Sequence, residues 1–172
     1  MNAISPTIFL PPKPSRAQWP FARKTPNHFV GETTFGEERG QGQTIGFGSK
    51  LEHDISLVTI YRPGVVDVRE QVEVFFVKAN GKLAAHYIDF VSYEKSGRRT
   101  AILVKKQYYA DRADFQDTAS RVAFAAIPLV VDRVVIATER VLERNLMARV
   151  EQFHGCRFAQ PEIDQRAPLK IA

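Results

Sequence analysis

The apolar positions of this chain change period several times along its 172 residues. Leu51, Ile55, Val58 and Tyr61 recur at helical spacing. Ser49 stands before them as a cap, and Glu52 completes a capping box, so the pattern predicts a helix over 50–61, stopped by Pro63-Gly64. "VVDVREQVEVFFVKANGK" reads as a strand with a turn at Asn80-Gly81. The next strand, 83–93, alternates Tyr87, Asp89, Val91 and Tyr93 against His86, Ile88 and Phe90. "KSGRR" makes a turn into a third strand, "TAILVKKQYY". Phe115, Ala119, Val122 and Ala126 predict a helix over 112–126, capped by Asp111 or a neighbour and broken at Pro128. "DRVVIAT" is a short buried strand. A last helix, 139–154, buries Leu142, Leu146, Val150 and Phe153, with Gly155 as its stop. Helix, three strands, helix, strand, helix is the order of a small α/β domain around a mixed sheet.

The flanks lack this periodicity. Residues 1–28 hold Pro6, Pro11, Pro12, Pro14, Pro20 and Pro26 and read as an extended arm. The arm interleaves Lys13, Arg16, Arg23 and Lys24 with Trp19 and Phe21. Such a mixture either tracks a nucleic-acid backbone or packs its aromatics on the core. The glycine-rich stretch 31–48 lacks the spacing of a phosphate-cradling loop and is expected to be a flexible loop leading into the first helix. Residues 156–172, with Pro161 and Pro168, read as a tail, which leaves 29–155 as the domain.

Composition narrows the class. Apolar content of 44% and charged content of 25% suit a globular domain, and the net charge of +5 favours a polyanionic partner. The lone Cys156 excludes an internal disulfide framework. With no transmembrane run and no signal-like start, the expected location is the cytoplasm, away from membranes. His28, His53, His86 and His154 are scattered, and His154 with Cys156 lacks the second pair that zinc requires.

Chemistry gathers around two strands. Leu103 and Lys105 share one face, Val104 and Lys106 the other. If the strands at 83–93 and 100–108 are neighbours, Asp89 lies beside Lys105, and a helix on the sheet can add Glu52. Two carboxylates and the Val104 carbonyl are hard oxygen ligands of the kind Mg²⁺ or Mn²⁺ takes. A lysine there can position water and offset charge on a phosphorane. The same residues also read as solvated hairpin charges and a helix cap. Lys95, Arg98 and Arg99 at the hairpin turn are candidates for phosphate contact near the site, or for an ordinary solvated turn. His86 falls on the face opposite Asp89, and Arg140 and Arg144, mixed with Glu139 and Glu143, read as a solvated face.

Taken in order, "RKTPNHFVGETTF", "SKLEHDI", "PGVVDVREQ", "YIDFV", "ILVKK" and "DRVVIATERVLERNL" resemble the catalytic domain of TnsA-type transposon endonucleases, within the PD-(D/E)xK nucleases. The resemblance runs from about residue 23 to 154. It implies a restriction-endonuclease-like core, with a mixed sheet of about four to five strands flanked by helices. It also implies metal-dependent cutting of DNA beside a partner transposase or other mobile-element protein. Glu52 and Asp89 would be the Mg²⁺ or Mn²⁺ ligands, Lys105 the catalytic lysine, and Gln71, of the Glu70-Gln71 pair, a polar residue near the site. Arg23 and Lys24 belong to the basic entry. Two departures stand out. Leu103 replaces the polar residue two before the lysine and cannot ligate a metal, and Ile88 replaces the usual proline. The chain is also expected to lack the further C-terminal domain of such proteins. The alternative is a catalytically impaired DNA-binding or assembly subunit that keeps the fold; a third is a small structural protein of mobile-element origin.

Overall fold

The computed structural model describes residues 10–19, 29–36 and 41–157. The elements are β1 (Gly31–Phe35), β2 (Gln43–Phe47), α1 (Lys50–Ile60), β3 (Val65–Val77), β4 (Leu83–Glu94), β5 (Arg99–Val104), α2 (Gln107–Ala110), α3 (Ala113–Ala126), β6 (Arg133–Ala137) and α4 (Arg144–Gly155). β3, β4, β5 and β6 form a mixed four-stranded sheet in that order, antiparallel except for the parallel β5–β6 pair. Helices flank it, so the α/β architecture expected from the sequence is the one observed. Among the described residues no helix is long and apolar enough to cross a membrane.

The sheet separates two cores. Ile55 and Ile60 of α1 meet Phe35, Ile45, Phe47, Val68, Phe90 and Ile102 on one face. Ala119, Val122 and Ala126 of α3 meet Val74, Phe76, Ile88, Val91, Ala101 and Leu103 on the other. The turns follow the sequence: Gly81 and Gly97 have positive φ, where a side chain would be strained, and they close the β3–β4 and β4–β5 hairpins.

Four expectations change. The glycine-rich stretch holds the β1–β2 hairpin instead of a loop. Phe35, Ile45 and Phe47 supply its buried apolar positions, and a Cβ at Gly31 would come within 2.6 Å of the Phe47 ring and force it to shift. The strand expected to run through Tyr109 ends at Val104, and the two tyrosines lie on α2. α3 starts at Ala113 after Arg112, which makes no side-chain cap, so Asp111 does not cap it. The last helix starts at Arg144, after a 3₁₀ turn at Glu139–Val141 capped by Thr138; Phe153 is exposed and Gly155 lies inside the helix.

Strict alternation also fails, at one place in two strands. Val68 packs toward α1 while Val72 and Val74 pack toward α3; Phe90 packs toward α1 while Ile88 packs toward α3. The pairings Glu70↔Phe90 and Val72↔Ile88 put Gln71 opposite Asp89 at the point where both strands change face. Gln71 has φ +48, a left-handed backbone that costs a non-glycine residue roughly 1–2 kcal/mol.

The arm clamps this break. Gln18 N–H donates to the Gln71 carbonyl and the Gln18 side-chain oxygen accepts from Glu73 N–H. Arg16 grips both carboxylate oxygens of Asp67, at 2.6 and 3.0 Å, and the Val68 carbonyl. Ser15 Oγ and Arg16 N–H both donate to Glu70, which is fully buried. Trp19 lies over Tyr87 with 5.0 Å between ring centres. The described part of the arm is thus a latch on β3. Arg16→Ala is expected to lower the unfolding free energy by about 1–3 kcal/mol. Urea titration reads this, and an unchanged midpoint would mean that the latch contributes nothing.

Candidate functional site

Asp89 sits at the switch in β4, beside the end of β5. The β4–β5 ladder stops at Phe90↔Ile102, and the next inward donor, Val104 N–H, is taken by Asp89 Oδ2 at 2.7 Å. The side chain thus replaces a backbone partner. Burial pushes the Asp89 carboxyl up to about 7, although the Val104 N–H pulls the other way. The negative charge of Glu52 raises it further, while Lys105 and a hydrogen bond from the Gln71 side chain oppose the rise. Four residues singled out from sequence therefore converge on one carboxylate.

Glu52 reaches the site from the third position of α1. Ser49 Oγ accepts from Glu52 N–H and donates to Glu52 Oε1, while Glu52 Oε2 accepts from Gly48 N–H at 2.7 Å. Ser49 therefore caps the helix, and the Glu52 carboxylate braces that cap. Each carboxylate oxygen retains a second lone pair, so capping and holding a cation are compatible. Glu52, Val104 and Lys105 line a cleft of about 480 Å³ together with Phe29, Lys50, Lys106 and Tyr109.

Lys105 follows the last residue of β5, its backbone N–H on the Ala137 carbonyl. Its ammonium lies 5.6 Å from the centre of the Phe115 ring on α3, a cation–π contact. It also borders a second cleft of about 430 Å³ with His86, Tyr109, Arg112 and Asp114. His86 packs edge-on to Phe76, and burial, with help from Lys105, holds its pKa below the usual histidine value. Leu103 is 2% exposed and belongs to the α3 core. Its position points away from the face that holds α1 and Glu52.

Other candidates lie elsewhere. Glu70 holds the arm. Lys95, Arg98 and Arg99 sit at the far end of β5, about 17 Å from Val104 at the usual strand rise, so the turn is not beside the site. Arg99 is committed to Asp132 at 2.9 Å and to the carbonyls of Pro128 and Leu129, while Lys95 and Arg98 are exposed. Arg23 and Lys24 lie outside the described residues. Among the described residues no group of three or more His, Cys, Asp or Glu is placed to hold a metal ion. His154 bonds Tyr61 instead, and Cys156 is exposed. The reading from sequence missed Phe29, Lys106, Tyr109 and Arg112. The signal for two of them was present in "KKQYY", where a helical turn in place of a strand brings lysines and tyrosines together.

No family model matches the chain, and no curated protein is significantly similar to it.

The Asp89 carboxyl makes stability depend on pH in a defined direction. Well below its ordinary pKa of 3.8 it is protonated in folded and unfolded chains alike. From there to about 7 only the unfolded chain ionises, so stability falls as pH rises. Above about 7 the whole cost is present, up to about 4 kcal/mol. Asp89→Asn keeps an acceptor for Val104 N–H without the charge. It is expected to melt at a higher temperature than the natural chain at about pH 8, with the gap closing below about pH 4. A gap that stays constant with pH would contradict a raised Asp89 pKa.

Proposed function

We propose that this protein is a TnsA-like, nuclease-fold endonuclease that hydrolyses phosphodiesters in DNA with Mg²⁺ or Mn²⁺, alongside a partner transposase or related mobile-element protein. One observation carries the reading: the buried Asp89 carboxyl, interacting with Glu52, Gln71 and Lys105 beside a cleft open to a substrate. A buried acid near a second acid is unfavourable when ionised, and a divalent cation offsets that cost.

The donor set fits such an ion. Mg²⁺ is commonly held by one or two carboxylates and keeps several waters. Asp89 and Glu52 would hold it, with the Val104 carbonyl as a neutral third donor. When bound, the ion would polarise a phosphoryl oxygen and acidify a water. The chain's own residues do the rest. Gln71, fixed by the arm, orients the Asp89 carboxylate. Lys105 places a positive charge where negative charge grows on the phosphorane. Lys50 and Lys106 along the cleft attract the phosphate backbone.

A second reading, a catalytically impaired subunit that binds DNA or assembles on it, is favoured by Leu103. The usual polar ligand is absent there, and the position itself is built into the α3 core. A plasmid-nicking assay with Mn²⁺ separates the two. Nicking that falls by roughly a hundredfold or more in Asp89→Ala and in Lys105→Ala is the expected result. No nicking, with DNA binding that weakens as salt rises, would favour the impaired subunit. Absence of DNA binding at low salt would contradict both.

A further inference from the structure

The two clefts share Lys105 and Tyr109 in their linings and so adjoin at the end of β5, together making a trench-like surface. Its cations are Lys50, Lys105, Lys106 and Arg112. Lys50 and Arg112 are paired with Asp54 and Asp114. Among the described residues, Lys105 and Lys106 have no carboxylate within ion-pair distance.

Aromatic rings accompany these two charges. Phe29 on one wall is 52% exposed, Tyr109 on the other 47%, and the adjoining Tyr108 74%. The two tyrosines meet edge to face, 5.1 Å between ring centres. They are not on a loose loop. Gln107 N–H donates to Glu139, the Gln107 side chain joins Thr138 and Asp111, and Gln116 donates to the Ala110 carbonyl. α2 is therefore pinned from several sides while its rings face outward. A held platform of exposed aromatics beside unpaired lysines matches a strand that offers phosphates and open base faces together. Duplex DNA offers the phosphates but keeps its base faces stacked.

We propose that the trench binds an unpaired DNA strand, with bases stacked on Tyr109, Tyr108 and Phe29 and phosphates on Lys105 and Lys106, and leads it to Asp89. The proposal rests on the nuclease-fold reading and narrows its substrate to DNA with a single-stranded segment at the cut.

The test is fluorescence anisotropy with a labelled oligo-dT strand and a duplex of equal length, in EDTA so that hydrolysis plays no part. The single strand is expected to bind about tenfold or more tightly than the duplex. Tyr109→Ala should lose roughly tenfold on the single strand and less than about twofold on the duplex, and Tyr109→Phe should retain binding. Tyr108→Ala, on the most exposed of the three rings, is an independent second variant with the same expected direction. Equal or tighter duplex binding overturns the proposal and leaves the nuclease-fold reading standing. So does single-strand binding that neither alanine variant weakens, or that Tyr109→Phe weakens as much as Tyr109→Ala. Binding to neither DNA overturns both.

Discussion

The hydrogen bond from Val104 N–H to the Asp89 carboxylate is the constraint on which the site depends. A ladder that ends this way draws a charged group among packed side chains and leaves β5 free to turn into α2. On the other side of β4, Gln71 answers with a left-handed backbone, and both strands change face there. One switch thus supports two cores. It lets Phe90 fill the α1 side while Ile88, two residues away, fills the α3 side. A sheet with unbroken alternation would have put both on the same face and left one core short of an aromatic.

Strain and burial at that point are held by the rest of the structure. The arm fastens to β3 through Ser15, Arg16 and Gln18, and Gln18 bonds both Gln71 and Glu73. The described arm residues therefore connect to the Asp89 carboxyl through Gln71. Of the two readings of the arm, packing on the core is the one seen among its described residues. Trp19 packs on Tyr87, and the arm's hold on the Gln71 backbone bears on the Asp89 carboxyl, which the Gln71 side chain meets. Glu52 belongs to the same economy of parts, since one side chain both starts α1 and sets a negative charge near Asp89.

Much of the fold was legible because its signals are local. The Ser49–Glu52 box, the glycine turns at 81 and 97 and the apolar stripe of α3 each follow from residues close in sequence. The meeting of Glu52, Asp89 and Lys105 was legible too, once α1 was placed against the sheet, whereas Gln71 came only from the family resemblance. The rest depends on distant partners. The β1–β2 hairpin was hidden because Gly31 serves close packing under Phe47, which sequence does not separate from loop flexibility. The switch at Gln71 and Asp89 carries no turn residue, and only the pairing of two strands defines it. The end of β5 was misplaced because "ILVKKQYY" continues a strand-like composition beyond the point where a carboxylate replaces the ladder. Leu103 was rightly grouped with Lys105 at the strand end, but the depth of its burial against α3 emerges only from packing.

The proposed site rests on Asp89 being a buried acid whose ionisation a bound cation would favour. Carbon-13 NMR titration of the Asp89 carboxyl tests it most directly. The expected result is a midpoint near 7 in metal-free buffer, falling by about one unit or more with saturating Mg²⁺. A midpoint near the ordinary 3.8, or one near 7 that Mg²⁺ leaves unmoved, would contradict the claim.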